Sequence, residues 1–259
     1  MLKGFTPPFT PDGRSSLAPA PPWHYAGWLF SIAYEMDPAV ANRFLPEGFG
    51  RATGCAAAHF CDWQATTDGS ELLDPIYAQY REFFVLIEAE RRGDTVNFCP
   101  FIYVDQDISM VRGWLQGLPK KLGNVWLTRS YPLNHPAAAP AVAGTRLGAS
   151  LAVKDRRLAQ AGLTLTGGEG RRLGLLARPT YGLTGLPSLI GGAQAAQPRL
   201  VRMAADAKEF GPSFAADASL DFFDSPREEL VALAPNRVVD ASAGCFALTI
   251  SRVADGEVP

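Results

Sequence analysis

The hydrophobic pattern of this chain favours strands over helices. Tyr80 to Glu90 and Thr95 to Val104 read as an antiparallel pair turning across Arg92-Gly93-Asp94. Leu29 to Met36 is an earlier strand, and Cys55 to Trp63 is a small-residue strand suited to close backbone approach. Asn124 to Ser130, Arg146 to Lys154, Leu158 to Thr166, Arg172 to Arg178, Leu200 to Phe210, Ala218 to Phe223 and Arg237 to Arg252 add more. Helical signals are fewer. Asp37-Pro38 supplies an N-cap and an N1 proline for a helix that runs to Leu45, before Pro46. Ile108, Val111 and Leu115 recur at helical spacing after Asp107, in a helix that Gly117 and Pro119 end. Ser225-Pro226 opens another, to Leu233.

Between these elements the pattern breaks. Residues 1–23 are proline-rich and aperiodic, which predicts an extended arm lying on the domain or on a neighbouring subunit. Thr66 to Pro75 is a polar loop, and Tyr131 to Pro140 a proline-rich one. Thr180 to Pro198, with four glycines, is a long loop and a candidate pocket lid. No repeat of fixed period is visible. The expectation is one domain over residues 1–259, α+β and mostly antiparallel β, as a sheet or barrel with a few short helices.

Composition narrows the function classes. With 259 residues, 47% of them hydrophobic and 19% charged, the chain can bury a substantial core. A net charge of −2 creates no field that would draw in nucleic acid. No apolar run reaches the roughly 18 residues of a spanning helix, and no signal-peptide pattern is seen, so a cytoplasmic protein without membrane partners is expected. Cys55, Cys61, Cys99 and Cys245 show no metal-like spacing with His24, His59 or His135, so no metal is called for. Gly167 to Gly174 is not spaced as a dinucleotide loop and reads as a β-turn, and no phosphate-binding or serine-hydrolase motif occurs.

One stretch stands out against this background, Leu118-Pro119-Lys120-Lys121-Leu122-Gly123. The chain holds five lysines against nineteen arginines, and two of the five are adjacent here. Arginine stays protonated, whereas a desolvated lysine loses its proton and attacks carbonyls. A solvated basic turn after a helix C-terminus is the other reading of the same residues.

The run resembles the Pro-Lys-Lys-Leu signature of acetoacetate decarboxylases and their superfamily. Tyr80-Arg81-Glu82 is similar to the family's strand with an active-site glutamate, and Tyr103-Val104-Asp105 to the segment before the lysine helix. Phe30 to Tyr34, Asp37 and Leu45-Pro46-Glu47 match its first strand, first helix and following turn. The resemblance implies a cone-like β-barrel flanked by sheet and helices, a homo-oligomer, no cofactor, and Lys120 as the Schiff-base lysine with Lys121 as its neighbour. Departures point away from plain decarboxylation. Arg112-Gly113-Trp114 stands where the family has Gly-Arg-Glu, Tyr25 to Trp28 lacks the decarboxylase arginine, and Cys55 to Ala58 lacks its second acid. Gln116 replaces a small residue, and members with glutamine there resemble aldolase-dehydratases acting on pyruvate.

Chemistry follows from these assignments. Lowering a lysine pKa from about 10.4 by about four units costs about 5–6 kcal/mol of ammonium stability. A neighbouring cation, the device attributed to acetoacetate decarboxylase, or burial supplies this. In extended backbone Lys120 and Lys121 point to opposite faces, so desolvation among Trp114, Leu118 and Leu122 is the favoured source. Glu82 would shuttle protons, unless it is a surface acid paired with Arg81 or Arg91. Gln116 would hydrogen-bond a substrate carboxylate or carbonyl, unless it is an exposed helix-end residue. Trp23, Tyr25 and Trp28 are expected as core or interface aromatics. The leading expectation is a lyase for a small keto acid, condensing pyruvate with an aldehyde co-substrate and expelling water. Acetoacetate decarboxylation and a catalytically inert ligand-binding barrel are the alternatives.

Overall fold

The computed structural model describes residues 1–171 and 177–256. Its centre is an antiparallel meander of four strands, β1 (Trp23–Glu35), β2 (Ala52–Thr66), β3 (Gln79–Arg91) and β4 (Asp94–Val104). The β3–β4 hairpin turns at Arg92-Gly93, whose φ angles of 51° and 88° give the left-handed pair that matches strand twist. Helix α1 (Pro38–Asn42) links β1 to β2 and is capped by Asp37, which accepts from the Ala39 N–H at 2.8 Å. It stops short of Leu45, because Arg43, Phe44 and Leu45 bond three residues back and tighten the last turn.

A second group of strands closes the ring. Strand β9 (Thr180–Thr184) runs parallel to β4 and antiparallel to β10 (Arg199–Phe222), and β10 pairs with β11 (Arg237–Asp255), which returns to β1. The order β11-β1-β2-β3-β4-β9-β10 is therefore a barrel whose last strand meets its first. Beyond it, the far half of β10 continues into a flanking sheet of β8 (Arg156–Glu169), β7 (Arg146–Val153) and β6 (Asn124–Leu127). Two smaller pieces complete the site: helix α3 (Asp107–Leu115) and the three-residue strand β5 (Lys120–Leu122), parallel to β4.

Several boundaries differ from the sequence reading. The arm ends at Pro22, since Trp23 already pairs with Ile250, and it folds on itself through Ser16, Thr6 and the buried Ala18. The loop at 66–75 contains a 3-10 turn (Ser70–Leu73) and leads into a short helix, α2 (Pro75–Ala78). Thr180 to Thr184 is no lid but the strand that closes the barrel, and only residues 185–198 remain loop. Leu200–Phe210 and Ala218–Phe223 are one 24-residue strand, because Gly211-Pro212, which reads as a break, sits at a β-bulge. The helix expected from Ser225 reduces to a 3-10 turn at Leu230–Leu233, as Ser225-Pro226 serves a turn equally well. Residues 156–169 form strand β8, so Gly167 lies in a strand, and the end of the turn expected over Gly167 to Gly174 falls outside the described residues. The strand expected at Arg172–Arg178 falls largely outside the described residues. No described helix is long and apolar enough to cross a membrane.

The meander buries both faces. Phe30, Ile32, Phe60, Phe83 and Val85 pack outward against Leu151, Leu163, Leu220 and Phe222 of the flanking sheet. Tyr25, Leu29, Trp63, Phe84 and Leu86 face inward with Phe246 and Ile250. A strand buried on both sides reads as a nearly continuous apolar run, which explains the sequence of β3.

Candidate active site

Lysine 120 enters the barrel because β5 is extended. Adjacent side chains alternate faces, so Lys120 is 5% exposed inside while the side chain of Lys121 is 51% exposed outside. Lys121 lies 2.5 Å from Glu228 Oε1, and the other oxygen of that carboxylate accepts from Tyr103 at 2.7 Å. The charge of Lys121 is thus neutralised on the outer face. The backbone of β5 is braced by Trp114, whose indole N–H donates to the Lys120 carbonyl at 2.9 Å.

Inside, Lys120 Nζ lies 2.6 Å from Glu82 Oε2 and donates to Ser109 Oγ at 3.0 Å. Glu82 faces inward by strand alternation with Tyr80 and Phe84, and the Trp63 indole donates to its other oxygen at 3.1 Å. Both ions are more than nine-tenths buried. Glu82 is therefore not a surface acid. Arg81 instead pairs with Asp105 at 3.6 Å and stacks on Trp126, and Arg91 donates to the carbonyls of Gly48 and Gly256. Gln116 is also buried, and its amide donates to the Arg112 carbonyl at 3.0 Å. Lys120, Glu82 and Gln116 line a cavity of about 90 Å³ whose remaining wall is mostly apolar and aromatic.

The structure brings Lys120, Glu82 and Gln116 together and sends Lys121 elsewhere. It also corrects the source of desolvation. Trp114 and Leu122 are partly or well exposed, while Leu118, Tyr80 and Ile102 form the dry wall around the amine. Gly113 is required at this point, since a Cβ there would sit 2.3 Å from Lys120 Cδ. Gly117 and Gly182 make a second close crossing, where a Cβ on Gly182 would meet the Gly117 carbonyl at 2.1 Å.

Helix α3 holds the largest surprise. Ile108 and Val111 are only half-buried and Leu115 is exposed, while Ser109, Arg112, Gly113 and Gln116 face the protein. The buried face is the polar one. Arg112 is 1% exposed, and its Nε and Nη1 have no hydrogen-bond partner. Its Nη2 is 3.9 Å from Glu71 Oε1 on the 66–75 loop. Burial disfavours ionisation of Glu71, but hydrogen bonds from Thr66 and Thr67 outweigh it and hold its carboxyl down at about 2. Tyr25 lines the cavity beside Arg112 and Gln116, and burial pushes its phenol up to about 12 against their pull.

The family model described as acetoacetate decarboxylase (ADC) matches residues 5–258. This chain belongs to the acetoacetate decarboxylase family. Among solved structures of similar fold is the enduracididine biosynthesis enzyme MppR, complexed with the condensation product of pyruvate and imidazole 4-carboxaldehyde. It is 32% identical at a TM-score of 0.91, over 98% of this chain and 96% of its own. MppR is also solved with pyruvate, at a TM-score of 0.90. An acetoacetate decarboxylase-like enzyme from Sphingomonas wittichii RW1 is 26% identical at a TM-score of 0.88, over 97% of this chain and 98% of its own. The acetoacetate decarboxylase of Legionella pneumophila, 17% identical at a TM-score of 0.76 over 92% and 88% of the two chains, shares the fold. No curated protein sequence matches this chain.

For this acetoacetate decarboxylase family member, sequence reasoning missed Ser109, Arg112 and Tyr25. A signal existed for the first two. Positions 109, 112, 113 and 116 share one helical face, and reading them as a polar inward stripe would have found them.

Proposed function

We propose that the protein is a Schiff-base-forming lyase that condenses a pyruvate-like keto acid with an aldehyde and expels water. The observation that carries this reading is the buried contact of 2.6 Å between Lys120 Nζ and Glu82 Oε2 in the wall of an interior cavity. A proton handed from Lys120 to Glu82 leaves the free amine, which attacks the ketone carbon. Loss of the ketone oxygen as water gives the iminium. Glu82 then takes a methyl proton, and the resulting enamine attacks the aldehyde carbon, forming a carbon–carbon bond as the aldehyde oxygen takes up a proton. Removal of a second proton expels that oxygen as water and leaves a double bond. Hydrolysis of the imine returns Lys120 and an unsaturated keto acid.

Gln116 and Tyr25 line the end of the cavity suited to a carboxylate, with the buried Arg112 guanidinium beside Tyr25. A buried guanidinium stabilises the ground-state carboxylate, which favours keeping it over losing it as neutral carbon dioxide. The two MppR complexes, with pyruvate and with a pyruvate condensation product, support the same substrate class. Lys121, on the outer face, holds β5 in register rather than charging the cavity.

The test is to supply pyruvate with an aldehyde and follow the conjugated product by absorbance, and to supply acetoacetate and follow carbon dioxide. Condensation without decarboxylation supports the reading. Rapid carbon dioxide release with no condensation would return the protein to the decarboxylases, and neither activity would favour the binding barrel.

A further inference from the structure

The cavity has two unlike parts. Its polar groups, the charged Glu82 and Lys120 and the amide of Gln116, gather where β3, β5 and the end of α3 meet. Tyr25, Trp63 and Tyr80 lie with these polar groups, and the part of the wall beyond them is mostly hydrocarbon, as at Phe84, Leu86, Ile102 and Ile250. Strand β3 sets this division, because Glu82, Phe84 and Leu86 all point inward and successive inward positions lie about 7 Å apart. Besides the Met203 thioether, two heteroatom side chains occur in the apolar part, and both are already engaged. Thr180 Oγ1 accepts from Asn97 and donates to the Arg178 carbonyl, and the Cys99 thiol donates to the Phe101 carbonyl.

The opening is apolar as well. Among the described lining residues, only Met203 and Leu248 are partly exposed, and the others are buried. They lie on β10 and β11, next to the point where that pairing slips register between Ala205 and Lys208. A ligand therefore reaches Lys120 across a thioether and a leucine, with the exposed Lys208, the cross-strand partner of Leu248, as the charge beside the threshold.

We infer that the second half of the cavity is the subsite for the tail of the aldehyde, and that it selects an uncharged, apolar tail. This rests on the condensation reading above. A charged tail would be buried against hydrocarbon with no counter-ion and no free hydrogen-bonding group, which costs several powers of ten in affinity. Met203 is the side chain best able to adapt to tails of different shape, being unbranched and soft.

The experiment supplies pyruvate with benzaldehyde, 4-carboxybenzaldehyde or 4-(trimethylammonio)benzaldehyde, and compares kcat/KM from the absorbance of each conjugated product. We expect benzaldehyde to exceed both charged aldehydes by about 100-fold or more. Met203→Lys, at the partly exposed threshold, should shift the ratio toward the carboxylate by about tenfold. Equal or better turnover of either charged aldehyde by the wild-type protein would overturn the inference. Borohydride trapping of pyruvate alone separates the two claims. A trapped imine without apolar preference sinks only the subsite, whereas an untrapped one sinks the condensation reading and the subsite with it.

Discussion

The two faces of the β1–β4 meander carry cores of opposite character. The outer core, between barrel and flanking sheet, is almost wholly hydrocarbon. Phe83 there is fully buried, with Phe60, Phe222 and Tyr103 rings 4.7–6.4 Å away. The inner core gives up packing for a cavity, an ion pair and an arginine with two unpartnered nitrogens. Burying such groups costs stability that surrounding structure must supply. The difference teaches a division of labour within single strands. In β3, odd positions such as Phe83 and Val85 pack the outer core, while even positions such as Tyr80 and Glu82 line the cavity.

Five substitutions break or sharpen this contrast. Lys120→Ala should lower turnover by about 10⁴-fold or more in protein that still folds, as read by kinetics and circular dichroism. Phe83→Ala should do the reverse. It should cost about 3–5 kcal/mol in denaturant titration, with kcat retained in the fraction that remains folded. Arg112→Met removes a buried charge of similar length. It should raise KM for the keto acid by about 100-fold without loss of stability, a split that a merely structural arginine would not produce.

The fourth substitution uses pH. His59 is fully buried, donates to or accepts from Ser31 at 3.0 Å, and stacks on Phe84. Burial pulls its imidazole from 6.5 down to about 3, so the fold holds the neutral ring. Its contribution is fully present above pH 6.5 and is lost as pH falls toward 3, because the unfolded chain takes up the proton first. At pH 5 the loss is about 2 kcal/mol relative to pH 7. His59→Phe should remove that part of the pH dependence in denaturant titrations at the two pH values. The smallest effect belongs to Lys121→Met. Lys121 is itself half-exposed in its pair with Glu228, so stability should change by about 1 kcal/mol and turnover by less than about tenfold.

Much of the site was legible before the structure. The lysine signature and the strand containing Glu82 identified the pair that meets at 2.6 Å, and strand alternation alone separated Lys120 from Lys121. Other features were hidden for physical reasons. Helix α3 presents its polar face inward, so the apolar spacing of Ile108, Val111 and Leu115 pointed the wrong way. Ring closure by β9 was hidden because its five residues include a glycine and sit inside a glycine-rich stretch. The continuity of β10 was hidden by Gly211-Pro212, whose turn chemistry the fold uses as a bulge. Tyr25 was placed with the core aromatics, and only the barrel geometry distinguishes a core ring from a cavity ring.

The most direct test of the central claim is borohydride reduction in the presence of pyruvate, followed by peptide mapping of the modified lysine. The account predicts one stable adduct, on Lys120, blocked by Lys120→Ala and still formed in Lys121→Met. Absence of an adduct, or modification spread over Lys121 and the surface lysines, would contradict it.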